Sequence, residues 1–128
     1  MNIQKICYCL CAVFCFAAAL FHEIVGIPRL LNPLAASDLP NNVTAMLTFS
    51  WHNDVVHMLG VSALFACSAF IPGNKLLGWI AAAMVVGIGI NTYWMALFYD
   101  PVMWQGPAPI LWTVIPLIAA VGLLAKSK

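Results

Sequence analysis

"LLGWIAAAMVVGIGINTYWMALF", residues 76–98, carries no acidic, basic or histidine side chain in 23 positions. As an α-helix it is about 35 Å long, and a bilayer's hydrocarbon core is about 30 Å thick. Inside lipid the backbone must satisfy its own hydrogen bonds, so an isolated run of this kind is read as a spanning helix.

Three further runs lie around it. "ICYCLCAVFCFAAALFHEIV" (6–25) is closed by Gly26 and Pro28. "VVHMLGVSALFACSAFI" (55–71) is entered from Ser50 and closed by "PGNK", and "ILWTVIPLIAAVGLLA" (110–125) follows "QGPAP". Pro116 sits inside the last run, which a membrane helix tolerates with a kink. The expected spans are about 6–25, 51–71, 76–98 and 109–125. The expected fold is all-α: an integral membrane four-helix bundle in one domain, residues 1–128. Composition agrees, since 64% of residues are hydrophobic and 7% charged, against about 25% charged in soluble domains. Gly26, Pro28, Pro33 and Pro40 predict that residues 27–49 form the longest loop, with room for a short interfacial helix after Asp38 or Pro40.

Charge sets the expected orientation. In the four-span reading Lys5, Lys75, Lys126 and Lys128 share one side, and only Arg29 faces the other. The positive-inside rule makes the lysine side, with both termini, cytoplasmic. Glu23, Asp38, Asp54 and Asp100 all fall outside. "MNIQK" followed by "FAAAL" is reminiscent of a cleavable signal. The apolar run continues past the alanines to Val25, so the first helix is expected to be retained.

The five cysteines show no CxxC pair or zinc-type spacing. They read as small hydrophobes, with Cys7, Cys11 and Cys15 on one stripe. No basic tract exists, and no nucleic-acid partner is expected; the bilayer is the expected one.

The polar residues gather at the outer end. His22 and Glu23 close the first run, and "SWHNDVVHM" (50–58) opens the second. Asn91, Tyr93, Tyr99 and Asp100 close the third. Ser50, Asp54 and His57 share a helical face, so Asp54 is expected to reach the His57 ring and raise its basicity. His57 lies roughly 9 Å below Trp51, deep enough to require a cavity or the bundle interior. His52 points about 140° away from His57. It is expected to meet His22, or to anchor the interface with Trp51.

The expected ligands are therefore His22, His52, His57, Asp54 and Glu23, backed by Asn91, Tyr93, Tyr99, Asp100 and Ser50. A transition metal suits imidazoles with a carboxylate. Haem needs two histidines on facing helices, with Gly60, Gly87 and Gly89 giving room. Met58, Met95 and Met103 would allow copper(I), although no Met-x-x-Met occurs. An Asp54–His57 relay would instead suit a proton-coupled carrier acting as a homo-oligomer. Ser62-x-x-x-Ala66 and Ala83-x-x-x-Gly87 permit the close contacts such an assembly, or a helix hairpin, needs. A third reading is a non-catalytic accessory subunit of a larger membrane complex. No catalytic motif is present: no G-x-S-x-G, H-E-x-x-H or P-loop. The chain is not expected to be an enzyme.

In "FHEIVGIPRLLNPL" and "FSWHNDVVHM", His22 is followed four residues later by Gly26, and Trp51 by His52. In this pairing the first half of the chain resembles a family of small, uncharacterised four-span bacterial inner-membrane proteins. The family commonly has "HS…GE"; here Glu23 replaces the serine and Ile27 the glutamate. The resemblance implies four helices in a bacterial inner membrane and supplies no activity.

Overall fold

A computed structural model describes residues 2–125. The elements run α1 (Ile3–Gly26), a π-helical turn (Ile27–Leu31), α2 (Asn32–Ala35), α3 (Asn41–Phe70), α4 (Lys75–Phe98), a 3-10 turn (Pro101–Gln105) and α5 (Ala108–Leu124). There is no strand among the described residues. Four long helices form the bundle: α1 packs on α3 and α5, and α4 packs on the same two. Three stretches are long and apolar enough to cross a membrane: Ile3–Ala35, Asn41–Phe70 and Lys75–Phe98. Ala108–Leu124 is apolar but shorter, at 17 residues. The outward faces are greasy: Val13, Ile24, Val56, Ile90 and Leu117 are all more than 60% exposed. An exposed apolar belt of this extent is consistent with a bundle surrounded by lipid.

The long loop predicted for residues 27–49 is not there. Gly26 and Pro28 do not stop the first helix. Prolines 28 and 33 lack the N–H of a regular ladder, and the backbone widens instead: Asn32 donates to the Ile27 carbonyl, five residues back. A π-turn of this kind carries a helix past an interruption. α2 continues it to Ala35, and α3 begins only six residues later at Asn41. The helical stretch from Ile3 to Ala35 is 33 residues, about 50 Å, so α1–α2 and the start of α3 extend beyond the four-helix core.

The lysine end is close-packed. Tyr8, Cys11, Cys15, Val61, Phe65, Ala81 and Ile115 have no exposed surface. The cysteine stripe does face this core, all five thiols are free, and Cys11 Sγ donates to the Ile115 carbonyl at 3.6 Å. Lys5 Nζ sits over the Phe70 ring at 4.4 Å, beside the turn that leads to Lys75. Lys126 and Lys128, the other lysines of the orientation argument, lie outside the described residues.

Small residues set the helix spacing, but not those expected. Ala83 and Gly87 are exposed, and a Cβ on Gly87 would meet nothing within 4 Å. The close face of α4 is Gly78, Ala82, Val85 and Gly89, all buried. Gly89 is the tightest case. Pro116 has no N–H, so the Trp112 carbonyl loses its partner one turn on. The bare Gly89 backbone approaches that carbonyl, and a Cβ there would lie 2.8 Å from the oxygen. Ser62 does bridge helices, but from α3 to α1: its hydroxyl donates to the Ala12 carbonyl at 2.8 Å.

Candidate functional site

His22 and Gly26 are one turn apart on the same face of α1, and Trp51 of α3 lies across both. The His22 and Trp51 rings are stacked, centroids 3.6 Å apart and 17° from parallel. Gly26 makes room for the indole: a Cβ there would collide with Trp51 Cζ2. The next residue on each helix repeats the pairing outside the stack, where His52 Nδ1 donates to Glu23 Oε1 at 2.9 Å. The His–Gly and Trp–His pairs read from the sequence thus form one clasp between α1 and α3. The expected His52–His22 meeting is replaced. Trp51 turns in to cover His22, and His52, half exposed, takes Glu23.

The clasp roofs a cavity with two lobes. One lobe, about 650 Å³, lies between α3 and α4 and is lined by Asp54, His57, Asn91 and Thr92, among others. The other, about 720 Å³, opens between α1 and α5 beside Phe14, Phe21, Leu30 and Leu111, and is almost wholly apolar. His22, Trp51, Met58, Met103 and Trp112 line both. His22 Nε2 and Trp51 Nε1 are buried with no hydrogen-bond partner among the described residues. A buried polar atom of that kind is costly unless something answers it. Thr92, also buried, is answered by its own helix, donating to the Ile88 carbonyl at 2.9 Å.

Other expected members are elsewhere. Asp54 and His57 share the polar lobe, yet no hydrogen bond joins His57 to Asp54 or Asn91 among the described residues. Both residues are exposed, so His57 is less deeply placed than its distance below Trp51 predicts, and the expected relay is not formed. Tyr93 bonds the Pro109 carbonyl at 3.1 Å and the Thr113 hydroxyl, tying α4 to α5. Asp100 accepts from the Val102 amide at 2.9 Å and caps the 3-10 turn. Ser50 and Tyr99 are exposed and line neither lobe. Glu23 and His52 are spent on each other.

Among the described residues no three His, Cys, Asp or Glu side chains converge as a metal-binding group. What converges is softer. Met58, Met84, Met95 and Met103 all line the polar lobe with His22 and His57. Met84, in the middle of an uninterrupted apolar run, was not singled out in the sequence, and no spacing signal marks it.

The cavity is blind. Inward of Met58 on α3 come Val61 and Phe65, and inward of Met84 on α4 comes Ala81, all without exposed surface.

No family model matches the chain, and neither does any curated protein or solved structure, so the fold and cavity carry the functional argument alone.

Proposed function

We propose that this is a bacterial inner-membrane protein, crossing four times with both termini cytoplasmic, that binds a transition metal or haem in the cavity at its outer end. It holds its ligand without catalysing a reaction. One observation carries this reading: imidazoles from two helices, His22 and His57, line the same cavity, and the buried Nε2 of His22 has no partner in the protein. Imidazole nitrogen is a good donor to several transition metals and to haem iron. The α5 helix, about 26 Å long, spans with the local thinning or flanking-residue adjustment that short segments use.

The test is direct. The chain is purified in mild detergent under anaerobic, reducing conditions, and its absorption spectrum and metal content are measured. The expected result is a stoichiometric metal, or a Soret band, that falls sharply in His22→Ala and His57→Ala. Protein that is empty after purification, and that stays empty when offered haem or first-row metals, would sink the proposal.

A second reading has an observation of its own. The α1–α2 and α3 extension carries exposed Met46 and Phe49, 66% and 67% accessible. That surface suits an accessory subunit docking a partner inside a larger membrane complex. Stable co-purification of a second chain, lost in Met46→Ser/Phe49→Ser, would favour it. The carrier reading has less support, because the blind inner half offers a solute no path.

A further inference from the structure

We infer that the ion taken by this cavity is copper(I), held by thioether sulfurs with imidazole help. This rests on the metal-or-haem reading above. The chain has six methionines. Met1 is outside the described residues, and Met46 lies on the exposed extension. The remaining four, Met58, Met84, Met95 and Met103, line one lobe of one cavity. They come from α3, α4 and the 3-10 turn, so no single helical stripe explains their meeting. Methionine often fills gaps in a core. Met58 and Met84 do pack on the buried core, yet all four also border the open lobe.

Their spacing makes two levels. Met84 and Met95 are 11 residues apart on α4, the same face but about 16 Å along the axis. One ion cannot bind both. Counted from the turn between α3 and α4, Met58 and His57 lie within about one helical turn of the depth of Met84. His22 stacks on Trp51, which by the same count is level with Met95. Met103 follows at the mouth. The deep level is therefore Met58, Met84 and His57, and the mouth level is Met95, Met103 and His22.

Chemistry selects the ion. Thioethers are soft and uncharged, and they favour copper(I) over hard divalent ions. They need no deprotonation. The cost of burying an ion rises steeply with its charge, and an uncompensated divalent ion in a low-dielectric cavity is strongly disfavoured. A monovalent ion beside neutral ligands leaves one charge at each level to balance, and Asp54 in the same lobe supplies one of the two. The carboxylate and imidazole triad that zinc would want is not assembled among the described residues. The cysteines offer no competing set there, since none lines the cavity.

The experiment uses the full chain in detergent, anaerobic, titrated with copper(I) against a chromophoric copper(I) chelator. X-ray absorption reads the sulfur and nitrogen neighbours of the bound metal. Two paired variants, Met58→Leu/Met84→Leu and Met95→Leu/Met103→Leu, keep side-chain volume and so the fold, checked by circular dichroism. Copper(I) should bind with a sulfur-dominated shell. Each paired variant should weaken its own level by roughly tenfold or more, the loss expected even for a ligand's supporting group. Zinc(II) should not compete. A nitrogen-only shell, preferred zinc(II) binding, or wild-type affinity in both paired variants would overturn the inference. If haem binds instead and both paired variants keep it, copper is overturned while the metal-or-haem reading stands. If neither copper nor haem nor another metal binds, both fall.

Discussion

The two ends of this bundle are made from the same four helices and pack in opposite ways. At the lysine end small residues let backbones meet. A Cβ on Gly122 would stand 2.9 Å from Cys7 Cβ, and one on Gly78 would stand 2.7 Å from the Tyr8 hydroxyl. Tyr8 and Phe65 then fill the centre, rings 6.0 Å apart. At the polar end Trp51, Trp112 and four methionines line a cavity that separates α3 from α4, although Gly89 still brings α4 close to α5 and Gly26 seats Trp51 against α1. In lipid, helices associate through close packing more than through the hydrophobic effect. The tight end therefore holds the bundle together, and the open end is free to carry a ligand.

The largest break of that contrast comes from Gly89. Gly89→Ala drives a methyl toward the Trp112 carbonyl, a backbone atom that cannot step aside. Overpacking of this kind costs about 1–3 kcal/mol, occasionally more. Gly87→Ala, two residues away on the same helix, meets nothing within 4 Å. It should be neutral, or stabilise by up to about 1 kcal/mol through helix propensity. Thermal unfolding in detergent should separate the two clearly. Equal melting temperatures would mean that α4 and α5 do not approach as closely as described.

Gly26→Ala tests the open end. Its methyl would collide with the Trp51 ring, which is a side chain and can swing out at the expense of the His22 stack. We expect a loss of about 1–2 kcal/mol, smaller than at Gly89, with altered indole fluorescence. In a Trp51→Ala background the same substitution should cost almost nothing. A double-mutant cycle measures that coupling; if Gly26→Ala costs as much without the indole as with it, Gly26 has some other role. Ser62→Ala sits lower on the scale. Interhelical hydrogen bonds in membranes average about 0.6 kcal/mol, so the melting temperature should fall slightly without change at the cavity.

What the sequence made legible follows from what each signal measures. Hydropathy sees one helix at a time, so the four apolar runs and the polar end were readable. The π-turn was not, because Gly26, Pro28 and Pro33 spell a stop, and only backbone geometry shows the ladder widening past them. Helix-to-helix register was equally hidden. Asp54 and His57 share a face and so looked like a pair, but sharing a face does not bring side chains into contact. The Ala83–Gly87 stripe had the right spacing on the wrong side of α4. Met84 looked like any core residue, and only the approach of α3 and the 3-10 turn places it among other thioethers.

The smallest expected effect belongs to Glu23 and His52, and its smallness is informative. The contact is short, 2.9 Å, but the His52 side chain is 52% exposed and Glu23 27%. Exposed pairs of this sort contribute about 0–1 kcal/mol, and salt screens them further. Glu23→Gln keeps the side-chain shape and an acceptor oxygen while removing the charge. It should therefore lower stability by a few tenths of a kcal/mol at low ionic strength and by less at high salt. Ligand binding in the cavity should not change, since neither residue lines it. Were Glu23→Gln to abolish binding while the bundle stays folded, the boundary drawn between clasp and cavity would be wrong. The pair would then belong to the site, and the contrast between the two ends would have to be redrawn around it.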